Sequence, residues 1–193
     1  MKNNKIMKKV LSIAIMLLMV MNVSAQEQLI NGAIEKKQVV MVDGVSADKL
    51  YVRALEALSD WAGAQGNSKI GIDVQDKDEG LVVYKGRLEM GFHKLNFMAG
   101  WEVYADFTIK IKCKDGRAQV SANVPSLTFD WSAKQYPATE TVPISAIYPE
   151  FNYKPKLRIK KAAIEFAPLT PSMFDKIISS LAAKLQQEPD DDF

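Results

Sequence analysis

The stretch that decides the fold is WEVYADFTIKIKCKDGRAQVSANV, residues 101–124. Apolar side chains occupy every odd position between 101 and 113 and every even position between 118 and 124. Such alternation is typical of strands with one buried face. A two-residue Asp115-Gly116 turn would pair residues whose numbers sum to 231, which places both apolar sets on the same face. The pattern therefore predicts a β-hairpin in which Phe107 lies opposite Val124 and Cys113 is a buried side chain.

Two helices are predicted, one before and one after this hairpin in the chain. Ser46 is a suitable N-cap for the first, over residues 46–64. Its apolar stripe consists of Leu50, Ala54, Leu58 and Trp61. The opposite face, which we expect to be solvent-exposed, carries Lys49, Arg53, Glu56 and Asp60. The second helix begins at Thr170-Pro171, a cap followed by proline at the first helical position, and extends to about residue 187.

Further strands are predicted over residues 34–42, 70–74 and 81–90. The strand at 70–74 alternates strictly and should be half-buried, and Gly86 is the candidate bulge of the strand at 81–90. The apolar residues between 157 and 166 fit a short strand or a helical turn equally well. Together these patterns predict an α+β fold, in which a curved antiparallel sheet is packed on one face by an N-terminal amphipathic helix and a C-terminal helix.

The N-terminal residues have the pattern of a secretory signal. Four lysines precede the apolar run VLSIAIMLLMV at residues 10–20, and Val23-Ser24-Ala25 supplies the small residues of a cleavage site, so we expect residues 1–25 to be removed. Losing those four lysines leaves 21 basic against 23 acidic residues, a net charge of −2. We therefore expect an exported protein, periplasmic or extracellular, with no membrane span in its mature form and no nucleic acid as partner.

The remaining 168 residues are enough for one domain with its own core. All ten glycines lie between residues 32 and 116, whereas all eight prolines lie between residues 125 and 189. We therefore predict a single α+β domain over residues 26–187. Within it, a sheet-building core at about 34–128 is followed by a wrapping segment and the C-terminal helix at 129–187. Residues 188–193 form an acidic tail, which we expect to fray.

The only cysteine and the only histidine of the chain do not suggest a reactive pair. Cys113 comes last on the apolar side of its strand, where burial raises the pKa of a thiol and makes it unreactive. His93 falls in a predicted Gly-Phe-His-Lys loop, and a single histidine cannot form a histidine-rich metal site. We therefore predict a structural role for Cys113 and a locally bonded or exposed position for His93.

Two other motifs also have structural interpretations. The acidic residues at 73, 76, 78 and 79 lack the glycine that a calcium-binding loop needs at its sixth position. Ser46-Ala-Asp-Lys49 matches the S-x-x-K nucleophile motif, but the S-D-N and K-T-G motifs of those enzymes do not occur in the sequence. We predict no catalytic residue, no metal and no cofactor.

Six residues make up the predicted partner face. Tyr104, Lys110 and Lys112 lie on the polar side of the hairpin, whose mixed polarity suits water or a polar partner. The other three are aromatic residues of the proline-rich segment, namely Trp131, Tyr136 and Tyr148. Loop aromatics can form a recognition surface, or they can hold a wrapping segment on the core, and the sequence leaves both alternatives open.

Three motifs in this order resemble an uncharacterised domain of exported Bacteroidetes proteins, described as having a TBP-like fold. They are Leu50-Tyr51-x-Arg53-Ala54-Leu55, Asp78-x-Gly80 leading to Lys85-Gly86, and Lys114-Asp115-Gly116-Arg117. The resemblance covers about residues 40–124 and implies a curved antiparallel sheet with helices on one side. It implies no catalytic residues, because that family has no established activity.

These observations support a non-enzymatic binding or interaction module of the cell envelope, whose partner is an envelope protein or a small ligand. The alternative is a carrier that holds an apolar or lipid-like ligand between the sheet and the C-terminal helix. The alanines at 105, 118 and 122 distinguish the two, since they either leave room for a ligand or allow a helix to pack closely. An enzyme is the third hypothesis and would depend on carboxylates or a Lys/Tyr pair.

Overall fold

A computed structural model describes residues 29–30, 32–66, 69–95, 99–132, 138–147 and 157–187. The predicted signal sequence, Tyr136, Tyr148 and the acidic tail lie outside these residues. Within the described ranges, no helix has the length and apolar character that crossing a membrane requires.

The predicted hairpin is present. Strand β5 (Gly100–Lys114) pairs with strand β6 (Arg117–Trp131) around the Asp115-Gly116 turn. Cys113 lies opposite Ala118 and Ile109 opposite Ala122, which is the register that the alternation predicted. Gly116 has a φ of 73°, a left-handed conformation that glycine adopts without steric cost.

Phe107 and Val124 do not form the regular pair that was predicted, because a bulge shifts the register by one residue between Asp106 and Thr108 and leaves both Val124 and Pro125 opposite Phe107. Beyond this bulge Ala105 lies opposite Leu127, so that odd residues of both strands face the core. The apolar positions of β6 change from even to odd at the same place, and the extra residue keeps both sets buried. Pro125 lies at this point, where its missing N–H is tolerated.

The described residues form a seven-stranded antiparallel sheet in the order β1-β2-β6-β5-β4-β3, with β7 also paired to β6. The remaining strands are β1 (Leu29–Ile30), β2 (Ala33–Met41), β3 (Lys69–Asp76), β4 (Leu81–Lys94) and β7 (Thr139–Pro143). β3 forms one edge of the sheet. Ile72 and Val74 are therefore 50% and 40% exposed, and the prediction of a half-buried strand is wrong.

The sequence analysis named Gly86 as a candidate bulge, and this prediction is wrong. Gly86 lies in regular pairing, opposite Ile70 of β3 and Phe107 of β5. A Cβ atom at this position would lie 2.3 Å from the backbone oxygen of Lys69. Glycine is needed because the neighbouring strand approaches closely. The bulges of β3 and β4 fall elsewhere, between Ile72 and Val74 and between Glu89 and Gly91.

Four helices are described, together with a 3₁₀ turn: α1 (Ala47–Gly63), α2 (Ile144–Ile147), α3 (Leu157–Phe166), the turn Ala167–Leu169 and α4 (Thr170–Gln186). Ser46 caps α1 as predicted and accepts a hydrogen bond from the backbone N–H of Lys49. The open choice for residues 157–166 is settled as a helix. Thr170 is not a cap; its buried hydroxyl donates to the carbonyl oxygen of Phe166, 3.2 Å away.

The core lies between one face of the sheet and the helices. Phe107 of β5 contacts Trp61 of α1 and Phe174 of α4, with ring centroids 5.6 Å and 5.7 Å apart. Ala105 and Ala122 are fully buried beside them. Burial of each such large apolar side chain contributes about 1.5–3 kcal/mol, so this layer is the main source of stability.

Two buried cations fix α4 against the rest of the domain, in addition to an exposed ion pair of 2.6 Å between Lys184 and Asp60 of α1. The buried ammonium group of Lys36 lies 3.0 Å from a carboxylate oxygen of Asp175. Arg53, predicted to face water, is only 8% exposed and donates to the carbonyl oxygen of Leu185 at 3.2 Å. The last carbonyls of a helix have no partner within it and favour a nearby cation, which explains why this charge is buried.

Candidate binding face

The helices contact the sheet on one face, called the inner face here, and the opposite surface is called the outer face. α1 and α4 contact Phe107, and α3 contacts Gly91, all on the inner face. The even positions of β5 and the odd positions of β6 up to Asn123 point to the outer face. Along β5 and β6, its central side chains are half-buried or exposed, as at Thr108, Lys110 and Ser121.

Three of the six predicted partner residues lie on the outer face, although Tyr104 is six residues along β5 from Lys110 and does not contact the two lysines. Tyr104, Lys110 and Lys112 are alternate outward positions of β5. Trp131 does not join them, because beyond the bulge it turns to the inner side and packs edge-on against Trp101, with centroids 4.9 Å apart. This position supports the alternative in which Trp131 holds the chain on the core, while Tyr136 and Tyr148 lie outside the described residues.

One end of the outer face is a hydrogen-bonded polar network. The carboxylate of Asp106 accepts from Thr128 at 2.7 Å, from Ser126 at 2.9 Å and from Nε of Arg87 at 3.1 Å. Thr128 is fully buried and also shares a hydrogen bond with Thr141 of β7. Asp106 therefore joins β4, β5 and β6, and the network is a structural element of the face.

Tyr104 lies at the border of this network. Its hydroxyl donates to Glu102 at 3.0 Å, and the guanidinium carbon of Arg87 lies 5.9 Å from its ring centroid. Burial, followed by the hydrogen bond to Glu102 and the charge of that residue, raises the pKa of Tyr104 to about 12. The side chain is therefore a neutral hydroxyl at physiological pH.

The other end of the outer face, at the tip of the hairpin, is basic and concave. A cavity of about 320 Å³ is lined by Val39, Lys112, Lys114, Arg117, Ala118 and Gln119. Val39 and its neighbour Met41 are large apolar side chains with 57% and 58% of their surface exposed. Apolar and cationic groups therefore lie side by side at this end.

Cys113 and His93, the two potentially reactive side chains, are both held by contacts within the fold. Cys113 is 3% exposed, and burial raises the pKa of its thiol to about 11, so its predicted burial is confirmed. His93 is not in a loop but at the end of β4, where its Nδ1 contacts the carboxylate of Glu165 in α3. In the ranges that the structure covers, no three potential metal ligands cluster together.

The acidic residues near the β3–β4 turn also serve the structure. Asp73 pairs with Lys85 of β4 at 2.9 Å, and the carboxylate of Asp76 accepts from the backbone N–H of Glu79 at 3.0 Å. The second contact closes the polar turn that follows β3. Each of these two carboxylates therefore contacts a local partner, and the two do not converge on a common site.

The space proposed for a carrier is filled by side chains in the described residues. Ala105, Ala118 and Ala122 are at most 1% exposed and belong to the same core as the aromatic residues of α1 and α4. Small residues at these positions allow close approach of the helices to the sheet. The observed packing favours that alternative over a ligand chamber.

Sequence reasoning missed several residues of the outer face. Arg87 and Asp106 carry the polar network, and Lys114 and Arg117 carry the basic end. The signal for Lys114 and Arg117 was present, since both are outward positions that flank the Asp115-Gly116 turn. The contacts of Asp106 depend on the bulge in β6, which the simple hairpin register does not contain.

Comparison with known proteins supports the fold. Residues 37–127 match the family model described as a domain of unknown function (DUF4468) with TBP-like fold. A DUF4468 family protein from Bacteroides ovatus aligns with a TM-score of 0.59 at 14% identity, covering 88% of this chain and 94% of its own. A TBP-like protein from Parabacteroides distasonis aligns with a TM-score of 0.51 at 11% identity, covering 80% and 96% respectively.

The comparison with curated proteins found no match. At these identities the solved structures establish the fold alone. The matched region contains the three motifs on which the predicted resemblance rested, and that prediction is confirmed. Residues 37–127 of this chain thus match the DUF4468 family, a domain of unknown function found in Bacteroides proteins, and the chain shares its TBP-like fold.

Proposed function

We propose that the protein is an exported, non-enzymatic binding module of the cell envelope, and that its partner binds on the outer face of the sheet. The observation that carries this proposal is the one-sided packing of the helices. α1, α3 and α4 all lie on the inner face, while strands of up to 15 residues present polar side chains on the other. The signal-like pattern of residues 1–25 supports export.

The two ends of the outer face suit different roles in binding. The network around Asp106 holds its side chains in fixed positions, because each is already hydrogen-bonded within the protein. The basic end has exposed side chains that are free to contact a partner, including Lys114, Arg117 and Met41. A preformed support beside an accessible patch reduces the entropy lost on binding.

The basic end is poorly suited to binding nucleic acid. The chain without residues 1–25 has a net charge of −2, so the positive charge is local rather than spread over a large surface. Nucleic-acid binding depends on many phosphate contacts, each of which requires a cation. The fold is named after TBP, a DNA-binding protein, but a shared fold does not imply a shared function.

Photo-crosslinking in the producing cells tests the proposal. A photoreactive amino acid replaces Ser121, which is on the outer face, or Glu56, an exposed residue of α1 that serves as the matched control. We expect a specific adduct from position 121 and none from position 56. Adducts from position 56 alone, or identical background from both, would show that the outer face is not the binding surface.

A further inference from the structure

The basic end of the outer face is held rigidly. Lys114 and Arg117 lie opposite each other beside the hairpin turn, and Lys112 lies opposite Gln119 one outward position further along. The turn itself is fixed by hydrogen bonds of 2.9 Å from Val42 N–H to the carbonyl oxygen of Gly116 and from Gly116 N–H to the carbonyl oxygen of Val45. The three cationic side chains therefore project from a preorganised backbone.

The charge at this cavity is largely uncompensated. Within the described ranges, the carboxylate of Glu79 is the one that lies within ion-pairing distance of these cations, 3.5 Å from Lys112. Both partners of that pair are exposed, so the pair is weak and easily exchanged for another anion. Lys112, Lys114 and Arg117 thus present a net positive charge to whatever enters the cavity.

An apolar wall lies beside these charges. Val39 is opposite Gln119 and Met41 is opposite Arg117, so both side chains of β2 stand next to the cationic row of the hairpin. Each is more than half exposed, although large apolar side chains of strands are usually buried. Covering them with an apolar group would release water and favour binding.

We propose that this cavity binds a small amphiphile, in which a phosphate or carboxylate group contacts the three cations and a short apolar chain covers Val39 and Met41. This inference rests on the proposed function and names the class of ligand for the same face. A volume of about 320 Å³ is at the lower end of small-molecule sites. Two exposed apolar side chains are few for insertion into a lipid surface, whose binding scales with the buried apolar area.

The first test titrates hexyl phosphate into the purified, ¹⁵N-labelled protein at about 0.15 M salt, where charges beyond about 8 Å are screened. We expect shifts of the backbone amide signals of Val39, Lys114, Arg117 and Gln119. Inorganic phosphate and hexanol each lack one half of the proposed ligand, and both should bind at least about tenfold more weakly, a difference of about 1.4 kcal/mol. Equal binding of hexyl phosphate and inorganic phosphate would overturn the role of the apolar wall.

Charge reversal then locates the site. K114E/R117E should weaken hexyl phosphate binding at least about tenfold. K69E/K94E is the matched control, since it reverses the same number of exposed charges at the other end of the outer face and should leave binding unchanged. Equal loss in both pairs would overturn the proposed site; retained dispersion of the amide spectrum shows that each variant is folded.

Two further outcomes separate this inference from the proposed function. If the protein binds phosphatidylglycerol vesicles but not hexyl phosphate, the site recognises a membrane surface and the inference is overturned. If neither binds while position 121 still forms its crosslink, the ligand class is wrong and the binding face stands. Absence of both the amide shifts and the crosslink would remove the proposed function as well.

Discussion

Asp106 links three strands through a single carboxylate on the outer face. It accepts hydrogen bonds from Arg87, Ser126 and Thr128, and Thr128 is fully buried. Without Asp106, Thr128 would keep its hydrogen bond to Thr141, while Arg87 and Ser126 would lose this acceptor. A half-buried donor that loses its acceptor costs free energy, because water replaces that acceptor only in part. The network thus depends on this one residue.

Asp106→Ala should lower the free energy of unfolding by about 1–3 kcal/mol. Asp73→Ala is the matched control, because Asp73 is on the same face and pairs with Lys85, but both partners are substantially exposed. That variant should lose less than about 1 kcal/mol. Urea denaturation measures both values, and similar small losses would show that the network does not stabilise the sheet.

At the residue scale, the sequence patterns predicted which side chains are buried better than they predicted which residues those side chains contact. The alternation of β5 correctly placed Cys113 in the core, because strand periodicity is local. Arg53 was predicted to face water, yet it is buried against the end of α4. Its partner, Leu185, is 132 residues away in the chain, and no local pattern contains that information.

At the element scale, the hairpin of β5 and β6 was predictable because two independent signals agreed. The Asp115-Gly116 turn and the change of parity each specify the same register near the turn. The bulge was missed although β6 contains its signals, Pro125 and the change from even to odd apolar positions. The exposure of β3 could not be predicted, because it follows from the order of strands in the sheet.

Gly86→Ala tests the close approach of β3 to β4. The added Cβ would lie 2.3 Å and 2.8 Å from backbone atoms of Lys69 and Ile70, so the edge strand must move. We expect a loss of about 1–3 kcal/mol, in the range for overpacked sites.

Gly71→Ala is the control for that substitution. Gly71 lies in the same edge strand with open space around its Cα, and alanine should stabilise it by about 0.5 kcal/mol. Thermal denaturation of the two variants gives the comparison. Equal effects would mean that β3 does not pack on β4 as described.

At the scale of the whole molecule, the fold class was predicted, whereas the surface that we propose as the binding face could be predicted only in part. The helices and the hairpin indicated a sheet covered on one side, and the outward positions Tyr104, Lys110 and Lys112 followed from parity. The basic cavity combines the hairpin tip with Val39 of β2, which is distant in sequence. It became visible only once β2 was placed beside β6.

The central claim is that the outer face is occupied by a partner in the cell. The most direct test is chemical acetylation of accessible lysines. The extent of labelling at each lysine is measured by mass spectrometry and compared between the producing cells and the purified protein. We expect markedly lower labelling of Lys110, Lys112 and Lys114 in cells, with Lys49 and Lys176 on the exposed sides of α1 and α4 labelled equally in both. Equal labelling of all five lysines in both samples would contradict the claim.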